Sequence, residues 1–257
     1  MRLFCLLILA ILPLRAEPLA LIRAGESFRY RLNWGVLIGV GEIRIDAAQP
    51  GASTDGTRKV SIDIASNGLA RVLYPYTNHA EVRLDQSTGR ILDITETGRG
   101  FCLSDSTTRF DYEQKRAIHT DRADARESRE LTLTDDAPMD LISALVSTRH
   151  WQAKPGDTRT ALAIFDGKLY PVTLTAVRLE TIRTRSGEQS ALLIVPSMAP
   201  GQERGIFKRG GEVKVWISQD NDPQPVKMQI TLSFGTGTLH LVEHTAPATT
   251  TLAQTSP

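Results

Sequence analysis

The chain has 257 residues, 30 Lys and Arg against 29 Asp and Glu, 41% hydrophobic residues and two cysteines. Near-neutral charge argues against a protein held to nucleic acid by bulk phosphate attraction, and the apolar fraction argues against a disordered chain. Two cysteines are too few for a disulfide framework or a four-cysteine zinc site.

Residues 1–16, MRLFCLLILAILPLRA, have the layout of a cleaved secretory signal peptide. Arg2 is the positive start, and Leu3 to Leu12 is apolar. That run is far shorter than the roughly 20 residues of a membrane-spanning helix. Pro13 and Ala16 close the segment. No other stretch approaches spanning length, so no integral membrane segment is expected after cleavage, and the mature chain is expected in the periplasm. Cleavage removes two arginines and no acid, leaving a net charge of −1. It also removes Cys5. Cys102, beside Phe101 and Leu103, is then a lone cysteine, read as a buried, inert thiol.

Alternation of apolar and polar residues dominates from residue 28 onward. Phe28, Tyr30, Leu32 and Trp34 alternate with Arg29, Arg31 and Asn33, giving a strand with one apolar face. Gly35, Gly39 and Gly41 bracket a turn or bulge into a second strand with Ile43 and Ile45. Val60, Ile62 and Ile64 mark a third. Further strands are expected at 79–85, 90–97, 106–112, 116–122 and 127–134. Residues 138–151 fit a helical period, with Pro138 and Asp140 at its start. Strands resume at 158–165, 169–184, 190–195, 212–218, 226–235 and 237–244, with hairpin signals at Asp166-Gly167 and Ser186-Gly187. Residues 245–257 have no charge and no apolar period and read as a disordered tail.

Many short strands and one helix define a mainly β fold. Strands with one apolar face require a sheet that curls, closes or stacks. An antiparallel curved sheet or partly closed barrel is expected, with a two-sheet sandwich as the alternative. Residues 17–244 are expected to form a single β-rich domain.

Several phrases in order resemble a family of exported bacterial proteins, domain of unknown function 3108. They are Gly25-Glu26 with Tyr30, Trp34-Gly35 with 39–45, Ser66-Asn67-Gly68 with Tyr74, and the 79–85 strand ending in Asp85. Then come Asp140 to Leu145 through Arg149, Pro155-Gly156-Asp157, Phe165 to Tyr170, Glu180, Gly187, and Val215 to Ser218 with Asp220 and Pro225-Val226. The resemblance spans roughly 22–244. The charged 116–130 hairpin and the tail depart from it. It implies export and a β-rich fold, and carries no catalytic residue to transfer.

Chemical motifs are sparse. His240 and His244 should share a strand face about 13 Å apart, too far for one metal. Asp220, Asn221 and Asp222 resemble the start of a calcium loop but lack its later Gly and Glu, and equally suit a turn. Ser143, His79 and Asp85 can be written as a triad, and Glu26 and Glu180 as a carboxylate pair, but nothing in the sequence fixes either geometry. Phosphate-loop, nucleophile-elbow and zinc-protease motifs are missing. No catalytic residue, metal or cofactor is therefore assigned.

The aromatic residues Trp34, Tyr74, Tyr76, Tyr170 and Trp216 are the candidate ligand-binding set, because ligand sites favour barrel mouths with apolar linings. The alternative is that they cap the core. Trp216 lies on the opposite face from Val215 and Ile217, so its strand must meet apolar surroundings on both sides or expose Trp216 in a cavity. The expected function is non-enzymatic binding of a lipid-like or glycan ligand in a curved-sheet cavity. A structural or assembly factor acting through an envelope protein is the first alternative, and an envelope polymer hydrolase the second.

Overall fold

The computed structural model describes residues 22–100, 103–134, 138–165, 167–185 and 187–247. The signal-like segment, Cys102, Asp166, Ser186 and the tail from residue 248 lie outside the described residues. The chain begins as a meander: β1 (Ser27–Trp34), β2 (Leu37–Ala47), β3 (Thr57–Ser66), a short helix α1 (Gly68–Leu73), β4 (Tyr76–Asp85), β5 (Ile91–Gly100), β6 (Ser104–Asp111), β7 (Arg116–Asp121) and β8 (Arg129–Thr132). The two-residue β9 (Met139–Asp140) leads into α2 (Leu141–Ser147) and a 3-10 turn over Thr148–His150. Then follow β10 (Thr158–Phe165), β11 (Lys168–Thr184), β12 (Gly187–Ser197), a second 3-10 segment (Gly205–Gly210), β13 (Glu212–Ser218), β14 (Pro225–Leu232) and β15 (Gly235–Thr245).

All these strands belong to one sheet, in the order β8-β7-β6-β5-β4-β3-β2-β1-β15-β14-β13-β12-β11-β10-β9. The chain therefore winds from β1 outward to β8, then enters the other half at its far edge, β9, and winds back to β15 beside β1. Among the described residues only the β9–β10 pairing is parallel. The edges β8 and β9 are not hydrogen-bonded to each other, so the sheet is curved and unclosed. Its two margins still touch. Lys168 Nζ lies 3.8 Å from the Glu127 carboxylate, and a Cβ on Gly167 (φ +57°) would collide with the His119 ring. This arrangement is the partly closed curved sheet and not the sandwich.

The inward face carries one continuous apolar cluster that includes Phe28, Tyr30, Ile45, Val60, Val82, Val172, Ile194, Val215 and Leu239. The alternation seen in the sequence is thus the inside–outside alternation of the curve. Helix α2 fills the interior rather than covering a face. Ser143, Val146, Ser147, Thr148 and Arg149 along the helix and its 3-10 continuation are all buried. The helix starts later than expected because Met139 and Asp140 pair with Ala163 and Ile164 of β10. The Asp140 carboxylate then caps the helix by accepting from the Ser143 backbone N–H at 2.9 Å.

A second, small apolar layer lies on the outward face. The β11–β12 pairing shifts register between Ala176 and Arg178. At the far tip of this hairpin, Arg185 donates to the Val242 carbonyl of β15 at 3.3 Å. The hairpin therefore curls over the outside of β13–β15. Ile182, Ala191, Leu193 and Trp216 are buried beneath and within it. This accounts for a strand, β13, that is apolar on both faces.

Candidate functional site

The two ends of the curved sheet differ. At the end where β1 begins and β15 finishes, the interior is sealed by charged groups. Glu26 is 0% exposed and precedes Phe28 on the inward-facing parity. Arg149 reaches it from the end of the 3-10 turn through two hydrogen bonds of 2.7 Å each. His244 Nε2 lies 2.9 Å from Glu26 Oε1, and the Arg23 backbone N–H donates to Oε2 at 2.9 Å. Gln224 Oε1 accepts from Arg149 at 2.9 Å, while the guanidinium lies 5.2 Å from the centre of the Phe28 ring. Arg23 bridges outward to Asp222 at 3.0 Å. Burial alone would raise the Glu26 pKa, but the hydrogen bonds from Arg149, His244 and Arg23 outweigh it and hold the carboxyl far below its ordinary range. Tyr30, buried nearby, is pushed upward by the same desolvation. A carboxylate so enclosed and so fully engaged is a structural plug, with no lone pair left facing a substrate.

At the other end the interior stays open. Moving along the inward face from the sealed end, Phe28, Ile45, Val60, Val82 and Ile91 are fully buried. Leu32, Ile43, Ile64, Ala80, Ile94 and Ile230, one or more steps further along the same faces, are only partly buried. Beside them, on the same and adjoining strands, the lining turns polar, with Asn78 directly across from Ile64. Asn78 donates to Glu96 at 2.7 Å and to Ser104 at 3.2 Å, and Thr108 bonds His119 at 2.9 Å. A cleft of about 570 Å³ beside Leu103 is lined by residues of both faces, by Ile64, Asn78 and Ser104 and also by the outward-facing Asp63, His79 and Asp105. The open half thus carries apolar and hydrogen-bonding side chains next to one another on β3 to β6.

Three residues of the candidate aromatic set occupy inward-facing positions at this open end. Trp34 ends β1, stacks on Phe234 at 5.5 Å and sits over Gly237, where an added Cβ would come within 3.0 Å of the indole. Tyr76 opens β4, with its backbone N–H donating to Ser66 Oγ at 3.0 Å. Tyr170 near the start of β11 stacks on Phe165 at 4.2 Å. Tyr74 follows α1 at the same end and is exposed. Trp216 is not brought to this group. It lies on the outward face, donates to Glu180 Oε2 at 2.7 Å, and carries Lys227 over its ring at 4.3 Å.

The other sequence candidates separate in space. His240 and His244 do not share a face. Tyr30 pairs with Leu241 and Arg29 with Glu243, leaving Val242 as an extra residue that reverses the alternation. His244 consequently points inward to Glu26, while His240 lies opposite Arg31 and Lys227. Glu180 is outside the sheet and Glu26 inside it, so they form no carboxylate pair. Ser143 is buried in α2, His79 bonds Asp63 on the outside at 2.7 Å, and Asp85 accepts from Ser87 and Thr88 in the β4–β5 turn. They form no triad. Asp220 accepts from Ser218 and from the Asp222 N–H, each at 3.2 Å, as turn residues do. Among the described residues no group of three His, Cys, Asp or Glu is placed to hold a metal. Neither is any helix long and apolar enough to cross a membrane. The residue that sequence reasoning undervalued is Arg149. Its partner Glu26 did carry a signal, since it continues the parity of Phe28 and Tyr30.

Sheet, plug and open end define a barrel-like β protein with an unclosed seam. The family described as protein of unknown function (DUF3108) matches residues 29–242, and the chain belongs to it. No curated protein matches the chain. Among solved structures, the beta-barrel-like DUF1849 protein from Brucella abortus aligns with a TM-score of 0.53 at 8% identity, covering 88% of this chain and 98% of that one. That likeness is one of fold. A Bacteroides fragilis protein provisionally described as exported, with a YmcC-like fold, aligns with a TM-score of 0.32 at 10% identity, covering 88% of this chain and 100% of that one. A Parabacteroides distasonis protein provisionally described as a lipoprotein aligns with a TM-score of 0.31 at 10% identity, covering 89% and 99%.

Proposed function

We propose that this is an exported, non-enzymatic protein of the periplasm whose single domain, residues 17–244, holds a lipid-like molecule in the open half of its curved sheet. The observation that carries this reading is the gradient of burial along the inward face. Phe28, Ile45 and Val82 are sealed over the Glu26–Arg149 plug, whereas Leu32, Ile43, Ile64 and Ile94 remain accessible. Accessible inward apolar side chains are what an acyl chain would cover. Asn78, Glu96 and Ser104, beside Ile64, Ala80 and Ile94 in the sheet, supply donors and acceptors for a polar head group. A glycan fits less well, because Leu32, Ile43, Ile64 and Ile94 offer it no hydrogen bonds. The signal-like segment 1–16 supports export.

Native mass spectrometry of protein purified from its own envelope tests the reading. The expected result is a lipid-sized adduct that organic extraction removes and that Ile64→Trp, which fills the open half, abolishes. Adduct-free wild-type protein, or an adduct unchanged in Ile64→Trp, would overturn it.

A further inference from the structure

The outside of the open end carries a second feature, independent of any molecule held within. Three connections converge there: β1–β2, β3–β4 through α1, and β14–β15. Each presents large apolar side chains at its tip. Val36 is 93% exposed, Val72 77% and Phe234 75%, and Ile38, Leu69 and Tyr74 are similarly bare. The tips are held in place by the backbone. The Gly35 N–H donates to the Thr236 carbonyl at 3.0 Å, joining two of the connections, and Asn33 Oδ1 accepts from the Gly39 N–H at 2.8 Å. Helix α1 has no buried residue, so its apolar side chains are not explained by the core. Such clustering at one end exceeds the scatter of single apolar residues found on ordinary surfaces.

We propose that this rim docks on the surface of an anionic lipid bilayer. The charges beside it select this occupant. Arg31, Arg71 and Arg99 are exposed around the apolar tips. Among the described residues, no acid lies within ion-pair distance of these three. Glu42 stands across from Arg31 in the sheet as the neighbouring acid. Apolar tips framed by arginines match the layering of acyl chains beneath phosphate head groups. A second copy of this chain pressed rim to rim would instead bring like charges together. A row of tips on separate loops also suits a broad surface better than a single inserted peptide. Docked in this way, the open half of the interior faces the bilayer.

Vesicle co-sedimentation tests this with protein recovered from the periplasmic extract of cells expressing the full chain. Wild type should bind phosphatidylcholine vesicles containing phosphatidylglycerol, bind pure phosphatidylcholine vesicles more weakly, and lose binding as salt rises. Val36→Asp with Val72→Asp should weaken binding by about tenfold or more. Phe234→Asp, on a different connection, should weaken it independently. Ile118→Asp, at an exposed apolar position on β7 away from the rim, should leave it unchanged. Arg71→Ala with Arg99→Ala should remove the preference for phosphatidylglycerol. Melting temperatures matching wild type would confirm that these tip variants fold. Equal binding by the folded rim variants, or a wild-type dimer that the rim variants dissolve without any vesicle binding, would overturn the proposal. An empty interior in native mass spectrometry would leave this result untouched, so the two readings fail separately.

Discussion

Glu26 and Arg149 are 123 residues apart in sequence and meet through two hydrogen bonds inside the sheet, with exposures of 0% and 1% for their side chains. Such a pair fixes which part of the interior helix reaches the sealed end. Removing one partner strands a buried charge, at a cost of about 3–5 kcal/mol. Arg149→Met should therefore lower the urea-unfolding free energy by roughly that amount. The double variant Glu26→Leu with Arg149→Met should cost less than either single change, because neither charge is left alone. Additive losses in the double variant would show that the two groups are not coupled.

The same network sets an acid limit. The folded-state pKa of Glu26 is depressed below its ordinary 4.5, against the pull of burial, by Arg149, His244 and Arg23. A depressed carboxyl contributes stability above its unfolded pKa and loses it as pH falls toward the folded value. Wild-type stability should thus decline from about pH 4.5 downward. Glu26→Gln should start less stable at neutral pH and show a flatter decline over that range. Parallel curves for the two proteins, measured by denaturant titration at each pH, would remove Glu26 from the account.

The curve of the sheet was legible because Phe28, Tyr30, Leu32 and Trp34 keep strict parity, and parity is what the inward face imposes. Glu26 obeys the same parity, but a lone carboxylate at a strand start reads as a solvated strand-face residue, and the structure corrects that by burying it completely. Its partner Arg149 was not legible either, since pairing across such a sequence separation leaves no local pattern. The histidines expose the limit of counting by twos. Val242 adds one residue to β15, and every side chain after it changes face. Trp216 announced an apolar setting on both sides of β13, but the covering hairpin could not be placed. That placement depends on a register shift between Ala176 and Arg178. Of the aromatic set, the residues that reached the open end sit near strand ends, and Trp216 sits in mid-strand.

The seam offers a third test. Gly167 has φ +57° and packs its backbone against the His119 ring. A side chain there meets both the left-handed backbone penalty, about 1 kcal/mol, and a steric collision. Gly167→Ala should destabilise the chain by about 2 kcal/mol or more. It should also speed amide exchange in β7 and β8 relative to β1–β3, since the margin loses its contact. A uniform change across the sheet would show that the seam does not open separately.

The burial gradient itself can be measured without any ligand. Ile45 is fully buried and Ile64 only partly so, although both face inward on neighbouring strands, β2 and β3. Truncating a packed core isoleucine removes its transfer energy and leaves a cavity that the surroundings cannot fill, a cost of about 2–5 kcal/mol. Truncation in a half that is already open leaves no new sealed void. Ile45→Ala should therefore lose roughly 3 kcal/mol, and Ile64→Ala about 1 kcal/mol. Ile64→Trp should be tolerated, because the added ring enters accessible space, whereas Ile45→Trp should overpack the sealed half and unfold the chain at lower urea. Equal losses for the two alanine variants would mean that the interior is packed alike along its length, and the open half would then be too well filled to receive an acyl chain.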